Sequence, residues 1–357
     1  MKNSSIHRII LSGGGTGGHI FPAVAIANEI KAIEPSAEIL FVGANGKMEM
    51  DKVPRAGYSI VGLPVSAFHR GWSARNFAFP FKLVASMIKA NRVIKKFKPD
   101  LVIGTGGFAS GPILRVANRH RIATLIQEQN SFPGVTNRLL AKKVKRICVA
   151  YPNMDRYFPK EKIILTGNPV RADLKLADNQ LPEARNSFHI SGNLPVILVF
   201  GGSQGARTLN NCMLAQLGRL ANEPVEIIWQ TGTAFFPVAS KAIENGSIRN
   251  ITVLEFIQDM KYAYALARLV VCRSGAITLS ELALLGKPAV LVPLPSAAEN
   301  HQFKNAKAYV DAGASLLVAD DEAQDRLIDT MIQLVNDPEK LQTMSSCMIG
   351  FAKPDAV

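Results

Sequence analysis

Ser12-Gly13-Gly14-Gly15-Thr16-Gly17-Gly18-His19-Ile20-Phe21-Pro22 follows directly on the apolar run Ile9-Ile10-Leu11. A strand that ends in glycines and passes at once into a helical pattern makes a cradle for anions. Glycine lets backbone approach a ligand closely, and the first N–H groups of a helix have no partner within it. The chain does this again about 190 residues on. Val196-Ile197-Leu198-Val199-Phe200 runs into Gly201-Gly202-Ser203-Gln204-Gly205-Ala206-Arg207, and a second helical pattern follows. Two such openings predict an α/β protein of two Rossmann-like domains facing across a cleft.

Working outward from these corners, short apolar runs alternate with helical patterns, as parallel α/β architecture requires. Strands are expected near 9–12, 38–42, 59–62, 101–104, 122–126 and 146–149. The second half repeats the pattern near 195–200, 225–229, 251–254, 269–272, 288–292 and 315–318. In the first helix Ala23, Ile26, Ala27, Ile30 and Ile33 share a face, with Pro22 in the opening turn. A polar, weakly patterned stretch precedes Leu194. The expected domains are therefore 1–170 and 195–340, linked by 171–194, with 341–357 as a terminal segment.

The 357 residues suffice for two cores, and the net charge of +13 is unevenly placed. Residues 1–167 carry 25 Lys and Arg against 9 Asp and Glu, whereas the remainder carries 16 against 19. Such polarity predicts an anionic partner for the first domain: nucleic acid, an anionic membrane face or a large anionic substrate. No nucleic-acid-binding signature accompanies the charge, and nucleic acid would leave the paired glycine corners unexplained, so none is expected as partner. No apolar run approaches the ~20 residues that span a bilayer. The three apolar residues ahead of the glycines are too few for a secretory signal. Cys148, Cys212, Cys272 and Cys347 are scattered, without a CxxC pair, and read as free thiols of a reducing compartment.

Gly13-x-Gly15-x-x-Gly18 matches the dinucleotide fingerprint, which calls for an acid at the end of the second strand. Here Ile39-Leu40-Phe41-Val42 ends in Gly43-Ala44-Asn45-Gly46, and the missing acid argues against a nicotinamide dehydrogenase. A third corner, Ile103-Gly104-Thr105-Gly106-Gly107-Phe108, follows another apolar run. In a doubly wound sheet the strand ends share one edge. Gly104, Thr105, Gly106 and Gly107 would then line a crevice with Gly14 and Gly15, two donor-rich loops suited to a diphosphate. In the second half Val270-Val271-Cys272 leads into Arg273-Ser274-Gly275-Ala276, again a helix start apt for diphosphate. Glu281 falls in the first two turns of that helix, where a carboxylate also complements the helix dipole.

The segments GGGTGGHIFPAVAIA, GTGGFASGP, QEQNSFPGVTN, GNPVR, GGSQGAR and CRSGAITLSEL stand in this order from about Ile9 onward. With them the chain resembles the MurG family of bacterial peptidoglycan glycosyltransferases, which add N-acetylglucosamine to lipid I to give lipid II. The resemblance implies the glycosyltransferase B fold, with UDP-N-acetylglucosamine held mainly by the C-terminal domain. It implies that Thr16, Gly17 and Gly18 approach the donor, that Asn130 holds the sugar, and that Arg171 and Ser203 meet the diphosphate. Ile257 would lie against uracil. Ala276, Ile277, Thr278, Leu279 and Ser280 would cradle the diphosphate, Glu281 would accept from the ribose hydroxyls, and Gln302 would bind sugar. The diphosphate at the N-terminal glycine loops would be the acceptor's. Another lipid-directed glycosyltransferase or a UDP-sugar epimerase is the alternative within the same architecture.

The family inverts the anomeric centre, so one in-line displacement needs a base for the acceptor's 4-hydroxyl. His19, at the glycine loop, is expected in that role, with Glu128 beside Asn130 as second candidate. His19 could instead orient a loop or bind acceptor phosphate. The sequence has no Asp-x-Asp, and helix N-termini with Arg171 could carry the charge of departing UDP, so no obligatory metal or cofactor is expected. A helical pattern over 80–97 is expected to bury Phe81, Val84 and Ile88 while Lys82, Lys89, Arg92 and Lys96 share a face. Trp72, Phe77 and Phe79 precede it, and Arg138–Arg146 carries five more basic residues. Basic residues beside aromatics suit peripheral docking on anionic lipid, the alternative being a solvated basic face, and the resemblance, with its lipid-borne acceptor, implies the cytoplasmic face of the bacterial inner membrane. Other cell-wall synthesis and division proteins are expected partners. The resemblance implies a C-terminal helix that returns to the N-terminal domain; here the chain reaches Ala352-Lys353-Pro354-Asp355-Ala356-Val357, and either a shortened brace or a truncated chain is expected.

Overall fold

In a computed structural model of the protein the described residues are 6–66, 79–170, 174–202 and 204–357. The chain divides into two compact units, Met1–Val170 with Asp355–Val357, and Arg171–Pro354.

The first unit is built on seven strands: β1 Arg8–Gly13, β2 Glu38–Ala44, β3 Ser59–Leu63, β4 Leu101–Gly106, β5 Ala123–Glu128, β6 Arg146–Val149 and β7 Ile163–Leu165. Their order is β3-β2-β1-β4-β5-β6-β7, and every neighbouring pair is parallel. Parallel strands are covered on both faces by their crossover helices, which is why Ile9-Ile10-Leu11 is apolar without alternation. From β1 the chain winds outward to β3, then returns to lay β4 on the other side of β1, with Gly13 opposite Gly106. The loops after β1 and β4 thus leave the sheet in opposite senses, and this switch point is where doubly wound sheets bind ligands. Ile9, Leu11, Ile20, Ala23, Ala27, Phe41 and Ile103 form the core between sheet and first helix.

Three local expectations are corrected. Pro22 lies in the second turn of helix Gly17–Ile33, where its ring forgoes one backbone hydrogen bond, and Ile33 at the far end is 76% exposed. Helix Phe79–Phe97 buries Ser86, Ala90 and Ile94, while Phe81, Val84 and Ile88 are exposed. The small residues win the inner face because this helix packs closely on helix Ser110–Arg119. Strand β7, only three residues long, was not anticipated.

The second unit holds β8 Val196–Phe200, β9 Glu226–Gln230, β10 Ile251–Leu254, β11 Ala267–Cys272, β12 Ala289–Leu291 and β13 Ser315–Leu317. The order β10-β9-β8-β11-β12-β13, again all parallel, repeats the first unit's winding about β8 and β11. Its core gathers Val199, Trp229, Val271, Leu327 and Met331. The stretch 171–194, expected as a linker, carries helix Leu181–Ser187, which packs on helix Met260–Leu266 of this unit.

Candidate active site

In the first unit the glycine corners of β1 and β4 lock into one another. Gly107 has φ +77°, and a Cβ there would stand 2.2 Å from the Gly14 carbonyl oxygen. Gly106, at φ +101°, makes room for the His19 ring, which a Cβ would meet at 2.8 Å. Helix Gly17–Ile33 starts from an extended Thr16, with no side-chain cap and no acid in its first turn. That leaves the amides of Gly17 and Gly18 at a positive helix end suited to an anion.

The expected acceptor-diphosphate residues divide. Gly104 and Thr105 lie inside β4 and are buried; the Thr105 hydroxyl donates to the His19 carbonyl at 2.6 Å and is spent on joining the loops. Gly15 donates its N–H to Glu49 Oε2 at 3.0 Å, and Glu49 Oε1 accepts from Ala44 N at 2.9 Å. Glu49 is wholly buried and props the first loop, so the Gly15 amide is committed to protein. Gly14 and Gly106 are buried as well, where the two corners meet, and Gly107 is half-buried. Nothing in the sequence around Glu49 signals this role.

His19 is half-buried, with Nδ1 at 2.9 Å from the Thr105 carbonyl and 3.0 Å from Gln129 Oε1. Glu128 is different. Its Oε1 accepts from the amide and side chain of Asn130 at 3.1 and 3.2 Å, and its Oε2 from Gly134 N and Asn137 Nδ2 at 3.1 and 2.9 Å. A carboxylate with four donors in a buried site has no lone pair left for substrate, so Glu128 is corrected from base to organiser of the 128–137 loop. Asn130 is held at the rim of that loop.

In the second unit the corners after β8 and β11 occupy the equivalent switch point. Gly205, at φ +74°, lets the loop pass 1.9 Å from the Thr231 carbonyl as measured from the Cβ it lacks. Gln230, at the end of β9, donates to the Gly202 carbonyl at 2.9 Å and accepts from Ile257 N at 3.1 Å, so one buried amide ties two loops together. Ile257 is 3% exposed and its N–H is taken, so its remaining backbone group for a base is the carbonyl.

Helix Ala276–Leu285 begins at an extended Gly275, uncapped by any side chain and free of acids in its first turn. The amides of Ala276, Ile277 and Thr278 are its first three. Leu279 is corrected: its amide donates to the Gly275 carbonyl at 3.0 Å and its side chain is in the core. The Ser280 hydroxyl bonds back to the Ala276 carbonyl at 3.0 Å, inside the helix's own first turns. Glu281 is 6% exposed and accepts from the Tyr264 hydroxyl at 2.9 Å, which aims its carboxylate. Gln302 Oε1 accepts from Leu294 N at 2.9 Å, so its amide nitrogen is the end presented outward. Arg273, despite its place in the motif, is spent on Asp320 and on the carbonyls of Val292 and Pro293 at 3.0 and 3.2 Å. Burial, with the Glu281 charge added, pushes the Cys272 thiol far above its ordinary range and makes it inert. Arg171 and Ser203 lie outside the described residues, as do Trp72 and Phe77. Among the described residues no group of three His, Cys, Asp or Glu side chains is placed to hold a metal ion.

Comparison with known proteins agrees with this doubled architecture. The glycosyltransferase family 28 N-terminal domain matches residues 9–149, and the family 28 C-terminal domain matches 196–357. A relative from Cytophaga hutchinsonii, named UDP-N-acetylglucosamine--N-acetylmuramyl-(pentapeptide) pyrophosphoryl-undecaprenol N-acetylglucosamine transferase, is 48% identical over 100% of this chain and 95% of its own. One of the same name from Phocaeicola vulgatus is 50% identical over 98% and 93%. The crystal structure of Acinetobacter baumannii MurG aligns with a TM-score of 0.76 at 30% identity, covering 98% of this chain and 96% of that one. A UDP-GlcNAc 2-epimerase from Neisseria meningitidis shares the fold at a TM-score of 0.66 and 17% identity, over 98% and 97% of the two chains. With both family domains matched in order and two sheets wound alike, the chain belongs to glycosyltransferase family 28 and has the glycosyltransferase B fold.

Proposed function

We propose that this enzyme transfers N-acetylglucosamine from UDP-N-acetylglucosamine to the 4-hydroxyl of the N-acetylmuramyl residue of lipid I, giving lipid II. The observation that carries the reading is identity of about half, over essentially the whole chain, with relatives named for that transfer. In this reading the first-turn amides Ala276–Thr278 and Arg171 take the donor diphosphate, and Glu281 accepts from the ribose hydroxyls. Gln302 presents its amide N–H to the sugar. Ser203 completes the donor contacts of the second unit, and Thr16, Gly17, Gly18 and Asn130 are the first unit's donor-binding residues. Gly14, Gly106 and Gly107 serve the acceptor's diphosphate.

His19 acts as the base. Its Nε2 takes the proton of the attacking hydroxyl as the new C1–O bond forms and the bond from C1 to the diphosphate oxygen breaks. The negative charge then gathered on UDP rests on the helix start. Incubation with UDP-N-acetylglucosamine and a lipid I analogue is expected to release one UDP per acceptor glycosylated; UDP-N-acetylglucosamine altered at equal rate without acceptor would point to an epimerase. Turnover of His19→Ala within about threefold of the parent would remove His19 as base.

Docking of the first unit on an anionic membrane face belongs to the same proposal. At 100° per residue Phe81, Val84 and Ile88 of helix Phe79–Phe97 fall opposite Ser86, Ala90 and Ile94, and Lys82, Arg92 and Lys96 flank them. Phe81 is 78% exposed, and Leu139, ahead of the basic run Lys142–Arg146, is equally so. An exposed apolar stripe edged with lysine and arginine suits a headgroup boundary, at ~1 kcal/mol per basic residue. None of the described helices is long and apolar enough to cross a membrane. Equal sedimentation with neutral and anionic vesicles at low salt would defeat the docking.

A further inference from the structure

Behind His19 runs a chain of three buried side-chain amides that the mechanism above does not use. Gln129, Gln127 and Asn168 are 1%, 1% and 3% exposed. Asn168 Nδ2 donates to the Gln129 backbone carbonyl at 3.1 Å, Gln127 Nε2 donates to Asn168 Oδ1 at 2.9 Å, and Gln129 Nε2 donates to Gln127 Oε1 and, at 2.6 Å, to the Thr105 carbonyl.

The direction of this chain is set by chemistry. A backbone carbonyl can only accept, so Asn168 must turn its NH₂ to the Gln129 carbonyl and its oxygen to Gln127. Gln127 then has to give its NH₂ to Asn168 and its oxygen to Gln129. The NH₂ of Gln129 is claimed in turn, which leaves its Oε1 against His19 Nδ1 at 3.0 Å, beside the Thr105 carbonyl at 2.9 Å. Turning any one amide over would set donor against donor or oxygen against oxygen among side chains no more than 3% exposed.

We infer that Gln129, oriented by Gln127 and Asn168, is a positioning residue for His19 that holds the imidazole as its Nδ1–H tautomer and makes Nε2 the basic nitrogen. Two oxygens aimed at Nδ1 exclude a lone pair there. When Nε2 takes the acceptor proton, the ring becomes cationic and both Nδ1–H bonds strengthen, so the same oxygens stabilise the imidazolium. The inference rests on the reading of His19 as base, and is tested so that the two fail separately.

Gln129→Met removes the facing oxygen, and Gln129→Glu puts a carboxylate in its place. The methionine variant is expected to lower kcat roughly 10- to 100-fold. Its KM for UDP-N-acetylglucosamine stays within about threefold of the parent. The acid limb of the kcat–pH profile should move down in the methionine variant and up by about one pH unit or more in the glutamate variant. A side chain that served the fold alone would move neither limb. Without relying on any Gln129 variant, ¹⁵N-histidine NMR of the parent protein should show His19 protonated at Nδ1 and not at Nε2, the signal being identified by its loss in a folded His19→Gln variant. The Nε2–H tautomer, or unmoved acid limbs in two folded variants, overturns the inference. An inactive His19→Ala alongside unmoved limbs sinks this inference alone, whereas an active His19→Ala sinks the base reading beneath it.

Discussion

Lys287 gives a prediction whose size follows from its surroundings. It follows the left-handed Gly286 that ends helix Ala276–Leu285, and its Nζ donates to the carbonyls of Ala267 at 2.8 Å and Ala265 at 3.3 Å. Burial without a carboxylate lowers its pKa from 10.5 to about 8. At pH 7 the ammonium is charged in both the folded and the unfolded chain. Above pH 8 the folded chain gives up this proton while the unfolded chain keeps it until about pH 10.5, so the unfolded state binds more protons and stability rises with pH. At 1.36 kcal/mol per pH unit the gain is about 2 kcal/mol between pH 7 and 9.5, and about 3 kcal/mol at completion. Lys287→Met lacks the titration. Its loss of two carbonyl bonds is a constant offset that cancels when stabilities are compared across pH. Trp229, fully buried on β9 of the same unit, reports unfolding in urea, and Trp72→Phe makes it the sole tryptophan. Parent stability minus variant stability should grow by about 2 kcal/mol from pH 7 to 9.5. A difference that stays flat or shrinks would refute the reasoning.

Glu281→Gln keeps the shape and a bond to Tyr264 but replaces the charged acceptor proposed for the ribose hydroxyls; KM for UDP-N-acetylglucosamine should rise roughly 10- to 100-fold with kcat changed far less, measured by initial rates. Gly107→Ala places a methyl 2.2 Å from the Gly14 carbonyl at φ +77°, and should cost the first unit about 2 to 4 kcal/mol in urea melts while UDP binding by the second unit, followed by calorimetry, is kept. Glu49→Gln sets an NH₂ against one of the two backbone amides that the carboxylate holds, a loss of about 1 to 3 kcal/mol in the same melts. Glu128→Gln, with one of its oxygens turned to a donor among four donors, should lower activity by loosening the loop and leave the pH profile of kcat in place; a lost acid limb would restore Glu128 as base.

The sheets were legible because their strands are covered on both faces, so Val196–Phe200 and Ile9–Leu11 stand out as unbroken apolar runs ending in glycine. The switch points followed from topology once those runs were ordered, which brought the corners after β1 and β4 together. What failed were choices that only packing makes. Helix Phe79–Phe97 has two faces that could be inner, and periodicity favours Phe81, Val84 and Ile88; the close neighbour helix favours Ala90 and Ser86 instead. Ile163-Ile164-Leu165 is too short a run to separate from coil. Within the site, residue type misled at Glu128, since a carboxylate in a loop looks the same whether its oxygens face substrate or four protein donors. Glu49, Gln129, Gln230 and Tyr264 act through partners distant in sequence, and no local pattern marks them.

The placement of the donor is the point on which the rest depends, and a crystal soaked with UDP-N-acetylglucosamine tests it most directly. The expected density puts the diphosphate on the amides of Ala276, Ile277 and Thr278, with the ribose hydroxyls on the Glu281 carboxylate. Uridine diphosphate lodged instead against Gly14–Gly18, with the start of helix Ala276–Leu285 empty, would contradict the account.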